Sequence, residues 1–128
     1  MKRKLLFVCL AFILSFTIID FALFESSASA KGTEVTYLNL GEKTRSTSRV
    51  TLKSGEKLKY YLNVYRGDIQ YAIFKNGDMY VTGRVDEGVY NENLSGAGPG
   101  EYSLRVYCGT RDNQKTNCSV PSASITAY

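Results

Sequence analysis

The chain has 128 residues, with 16 Lys+Arg against 12 Asp+Glu, ten Tyr, three Cys, no Trp and no His. The absence of histidine removes the commonest general base, the serine and cysteine triads that depend on one, and nearly all zinc sites. The net charge of +4 is carried by interspersed residues of both signs. It lacks the concentrated basic stripe of a nucleic-acid binder.

Residues 1–30 read as a signal peptide. Lys2, Arg3 and Lys4 form a basic start, Leu5 to Phe24 is almost wholly apolar, and Ala28-Ser29-Ala30 supplies small residues for cleavage after Ala30. The apolar run also matches the length of about 20 residues of an uncleaved membrane anchor. Asp20 inside the run, and Glu25 with the small-residue tail after it, favour cleavage. The long apolar region fits export from a Gram-positive bacterium. Cys9 lies too early, behind Phe7-Val8, for a lipidated cysteine.

Residues 31–128 then form one secreted domain with no membrane segment, and its expected state is a monomer. Removing three basic and two acidic residues leaves 13 and 10, a net +3. All ten tyrosines lie here, with Phe74 as the one phenylalanine. Tyrosine combines apolar area with a hydroxyl that needs water or a partner, which suits a thin sheet protein with half-buried positions. Cys108 and Cys118 are an even pair in an exported chain and read as a disulfide. Such a short loop is stabilised by roughly 2.5–3 kcal/mol on the chain-entropy argument. Neither a C-x-x-C spacing nor a histidine supports metal or redox work by this pair.

In chain order, Thr33 to Asn39 is strand-like, with Val35 and Tyr37 on one side. Gly41 to Ser48 is a polar loop or frayed edge, and Arg49 to Lys53 is a strand with Val50 and Leu52 inward. After the Ser54-Gly55 turn, Leu58, Tyr60, Leu62 and Val64 recur at period two, as do Ile69, Tyr71 and Ile73 beyond Arg66-Gly67. These two runs read as a hairpin around which the rest is organised. Asn76-Gly77 is a second and stronger hairpin signal. It returns the chain as Met79 to Val85, with Met79, Val81 and Val85 on one face. Asp86 to Leu94 is ambiguous, with a short strand near Val89-Tyr90, and Ser95 to Gly100 breaks the chain. Glu101 to Cys108 places Tyr102, Leu104, Val106 and Cys108 on one face. Gly109 to Asn117 is a polar loop, and Pro121 assigns Cys118 to Ala127 to an edge strand. A Cys108–Cys118 bridge would set these last two segments side by side as an antiparallel pair. Seven to eight short strands without helix predict an all-β antiparallel sandwich.

Three stretches occur in order: Gly55-Glu56-Lys57-Leu58, Gly67-Asp68, and a Gly-Glu-Tyr-x-Leu-x-Val run from Gly100 to Val106. Over Val50 to Tyr107 the chain resembles the bacterial pre-peptidase C-terminal domain, a secreted β-sandwich appended to many exported hydrolases. Members of that family are usually tails of larger enzymes, whereas no hydrolase accompanies the domain in this sequence. In related collagen-binding modules outward tyrosines bind and acidic loop residues take calcium. Neither role maps onto this sequence residue by residue.

The candidate site is the outer side of the organising strands. Lys57, Lys59, Tyr61, Asn63 and Tyr65 lie opposite the core set, as do Gln70, Ala72 and Phe74, and Arg105 with Tyr107 on a later strand. If those strands are neighbours, they form one aromatic and basic face for an extracellular polysaccharide or protein. Against this, tyrosine is a good strand former on half-wet faces, and scattered surface aromatics need no functional explanation. Asp86, Glu87 and Glu92 offer oxygen ligands for calcium but lack the dense spacing of a dedicated loop, and no cofactor is expected. Arg66-Gly67-Asp68 has a sufficient explanation as a turn. Asn93-Leu94-Ser95 and Asn117-Cys118-Ser119 are sequons that matter only in a eukaryotic host. The reading is a non-catalytic secreted binding module. A secreted effector, such as an enzyme inhibitor or antibacterial toxin, is the alternative, and a small hydrolase using scattered carboxylates comes third.

Overall fold

The computed structural model describes residues 32–128, so the expected signal peptide lies outside the described residues. Nine antiparallel strands form two sheets, one strand more than the upper expectation. Sheet A has the order β1 (Thr33–Leu38), β9 (Val120–Ala127), β4 (Leu58–Val64), β7 (Gly88–Leu94). In sheet B, β8 (Gly100–Cys108) pairs along one edge with the short strands β2 (Thr44–Ser46) and β3 (Val50–Leu52). Its other edge pairs with β5 (Ile69–Lys75), which pairs with β6 (Asp78–Val85). No helix occurs among the described residues.

The period-two pattern determines what fills the space between the sheets. From sheet A come Leu58, Tyr60, Leu62, Val64, Ala123 and Ile125; from sheet B come Ile69, Ile73, Tyr102, Leu104 and Val106. Each fully buried aliphatic side chain contributes about 1.5–3 kcal/mol. The Asn76-Gly77 turn is a true hairpin, both residues having positive φ, and it pairs β5 with β6. A register shift between Ile73 and Phe74 puts Met79 opposite Phe74 while Val81 stays opposite Ile73. Met79 is therefore turned away from the face of Val81, because a bulge adds one residue to one strand and reverses the alternation.

Three expectations about neighbours are corrected. The first concerns β4 and β5, which do not form a hairpin but belong to opposite sheets. Arg66-Gly67 is a crossover, anchored where Tyr65 and Arg66 donate their N–H groups to the Ser119 carbonyl at 2.9 and 3.2 Å. Gly67 has φ 90° there, and a Cβ on it would lie 2.7 Å from Cys118 Sγ. The second concerns β8 and β9, which also sit in different sheets. The Cys108–Cys118 disulfide, with Cα atoms 5.5 Å apart, therefore staples sheet to sheet. The third is that β9 is central, between β1 and β4. Pro121 is tolerated because it lies at the irregularity opposite Thr36–Leu38 and before Ser122, where pairing with β4 begins.

Candidate functional site

The sequence assigned one continuous face to residues that the crossover divides. Lys59 and Tyr61 lie on the outside of sheet A, with Lys57 just before β4 and Tyr65 just after it. Phe74, Arg105 and Tyr107 lie on the outside of sheet B. Within each sheet the outward assignment holds by register, but the two groups are on opposite sides of the sandwich. Tyr107, expected exposed, is buried, with only 3% of its surface exposed, and Ala72 is fully buried. The loop 109–117 folds back over this sheet: the Arg111 N–H donates to Gln70 Oε1 at 2.7 Å, and Gln70 is the cross-strand partner of Tyr107.

The outside of sheet A is a shallow polar and aromatic surface. One row across it reads Val35, Ser124, Tyr61, Asn91; the next reads Thr33, Thr126, Lys59, Asn93. Val89 stands opposite Asn63 on the far side. Val35, Tyr37, Tyr65 and Val89 are 59%, 48%, 73% and 65% exposed, and Tyr61 is half-buried. Side chains at the rim are held in place. The Arg45 guanidinium lies 5.3 Å from the Tyr37 ring centroid and pairs with Glu42. The Lys59 ammonium lies 5.0 Å from the Tyr128 ring, whose hydroxyl donates to Asn93 Oδ1 at 2.6 Å. Tyr37 was not among the candidate residues. Its alternation with Val35 put the two on one side, but nothing in the sequence said that this side faced out beside Tyr61.

The outside of sheet B holds a groove with β8 and β5 as its floor, where Arg105 and Phe74 lie. The disulfide-closed loop gives one wall, with Arg111, Asp112 and Gln114; Ser46 of β2 and Arg49 give the other. Arg49 pairs with Glu101 at 3.1 Å in an exposed contact, while Arg105 and Arg111 have no ion pair among the described residues.

Carboxylates elsewhere do not converge. Asp86 sits beside Asp68, whose shared hydrogen bond and charge push the Asp86 pKa up. Glu92 instead lies on β7, with Oε2 3.2 Å from the Tyr60 hydroxyl, which is 3.0 Å from the Tyr71 hydroxyl. Burial, then the Tyr71 contact, raises the Tyr60 pKa. The calcium candidates Asp86, Glu87 and Glu92 are thus not brought together, and no cluster of three potential metal ligands occurs among the described residues.

These features define an all-β sandwich with two dissimilar outer surfaces. No family model and no curated protein matches the chain. Among solved structures it is similar to the pre-peptidase C-terminal domain of collagenase from Bacillus anthracis. The TM-score is 0.52 at 18% identity, covering 77% of this chain and 89% of that one. The resemblance expected from the glycine-bearing strand entries therefore holds at the level of the fold.

Proposed function

We propose that the protein is a secreted, non-catalytic binding module that takes an extracellular polysaccharide, such as one of the cell wall, on the outer face of sheet A. The observation that carries this reading is the arrangement of Tyr37 and Tyr61 among Ser122, Ser124, Thr126 and Asn91 on one sheet surface. Aromatic faces stack on the C–H faces of sugars, and hydroxyl and amide groups match sugar hydroxyls. The fold likeness to the pre-peptidase C-terminal domain of a collagenase is consistent with a sandwich whose outer faces are free for such a role.

The test is sedimentation of the protein with purified, insoluble Gram-positive walls. Wild type is expected to co-sediment, and the Tyr37→Ala/Tyr61→Ala variant to stay in the supernatant. Absence of wild-type binding, or undiminished binding by the variant, overturns the reading. Capture by immobilised matrix proteins in place of walls would move the ligand to the protein class. Growth inhibition of neighbouring bacteria without wall binding would support the effector alternative.

A further inference from the structure

The Arg-lined groove on sheet B is separate from the face just assigned, on the opposite side of the sandwich. We propose that this groove binds an acidic polysaccharide, a sugar chain bearing carboxylates. Arg105 on the floor, Arg111 on the loop wall and Arg49 on the β2–β3 wall come from three separate parts of the chain. A guanidinium is planar and presents paired N–H donors that fit a carboxylate two-on-two. Arg105 and Arg111 have no internal carboxylate to satisfy them among the described residues. Arg49 is tied to Glu101 only through an exposed pair, a contact worth about 0–1 kcal/mol that a ligand can displace.

Neutral groups between the charges favour a sugar chain over other polyanions. Ser46 is the direct cross-strand partner of Arg105, and its hydroxyl, which donates to the Thr47 carbonyl at 3.1 Å, keeps its oxygen free to accept from a sugar hydroxyl. Gln114 adds an amide, and Phe74 gives one half-buried ring for a sugar face. Single-stranded nucleic acid is held by successive aromatic platforms, whereas this groove offers only the half-buried Phe74 ring, its other aromatic, Tyr107, being buried. Asp112 on the rim opposes densely charged polymers and tolerates one with charges spaced by neutral hydroxyls.

The loop wall is built before any ligand arrives. Besides the disulfide, the Lys115 N–H donates to the Cys108 carbonyl at 2.8 Å, the Gly109 N–H to the Asp68 carbonyl at 2.9 Å, and the Arg111 N–H to Gln70. A wall fixed in this way spares the ligand the cost of ordering it.

The experiment is fluorescence polarisation of labelled oligogalacturonate, with the carboxyl-reduced oligosaccharide and a labelled polyadenylate as comparison probes. Oligogalacturonate is expected to bind, more weakly as salt rises, and the reduced form is expected not to bind. Arg105→Ala and Arg111→Ala should each weaken binding roughly ten- to a hundred-fold, the usual range for a charged hydrogen bond. Arg105→Lys should recover only part, since the charge returns without the fork. Both arginines are exposed, so an unchanged melting midpoint shows that the variants fold. Tyr37→Ala/Tyr61→Ala should leave this affinity unchanged, which separates failure here from failure of the sheet A reading. Absence of oligogalacturonate binding overturns the proposal. So does equal binding of the reduced form, tighter binding of polyadenylate, or indifference to Arg105→Ala.

Discussion

Opening the disulfide tests how the two sheets are held in register. Both cysteines are buried, Cys108 fully and Cys118 with 1% of its surface exposed, and they close a loop with a sequence separation of 10. Loop closure over that span contributes about 2.5–3 kcal/mol by restricting the unfolded chain. Replacing both residues with alanine also removes two buried sulfurs from the packed crossover, a further loss of about 1 kcal/mol or slightly more. The Cys108→Ala/Cys118→Ala variant should therefore lose about 4 kcal/mol. For a domain of just under a hundred residues, each kcal/mol lowers the melting midpoint by roughly 5 °C, so a fall of about 20 °C is expected. Reducing the wild type removes the cross-link but keeps the sulfurs, and should lower the midpoint by about 15 °C. The assay is thermal unfolding followed by near-UV circular dichroism of the tyrosines. A fall of less than about 5 °C in both samples would refute the account. It would mean that the β8–β9 crossover is held by its hydrogen bonds and packing without the covalent link.

Two further predictions concern the same end of the sandwich. Gly67→Ala combines an unfavourable positive φ, costing about 1–2 kcal/mol, with a Cβ pressed against Cys118 Sγ. The urea midpoint should fall by the equivalent of at least 2 kcal/mol, and an unchanged midpoint would show that the crossover relaxes freely. Asp68→Asn removes the carboxyl–carboxyl hydrogen bond and, with it, the charge, which together raise the Asp86 pKa, so the Asp86 carboxyl should titrate lower when followed by carbon NMR. A carboxyl pKa raised in the folded state means that the fold binds the proton more tightly than the unfolded chain. Its contribution therefore falls as pH rises from the unfolded value, near 3.9, through the higher folded value. The wild type should lose stability over that interval relative to Asp68→Asn. Identical pH profiles would assign the Asp86 shift to another cause.

Faces were legible in the sequence because alternation is a local property. Leu58, Tyr60, Leu62, Val64, Ile69 and Ile73 are all buried as their spacing requires. The β5–β6 hairpin was equally legible, since Asn-Gly favours the two positive φ values that close it. Sheet membership was not. Two strands whose apolar sides face each other across a core carry the same alternation as two strands side by side with apolar sides on one face. A short connection such as Arg66-Gly67 serves either arrangement. The same ambiguity placed β8 beside β9. Tyr107 was misjudged for a different reason: a residue outward by register is exposed only if nothing folds over it. The covering loop is polar, with no pattern of its own. Of the candidate residues, Lys57, Lys59, Tyr61 and Tyr65 remain together, as do Phe74 and Arg105, but as parts of two surfaces.

The pairing of β1 with β9 sets an order of events during folding. Thr33 lies opposite Thr126, 93 positions away, and the two side chains hydrogen-bond at 2.9 Å. Closing so long a span costs much entropy before any contact compensates, and sheets dominated by such pairings fold slowly. β9 must in turn dock against β4 to present its other edge. Among the described strands, β1 is thus one of the last to gain a partner. Until it does, β9 offers a bare strand edge on which β1 of a second molecule could pair as readily as its own.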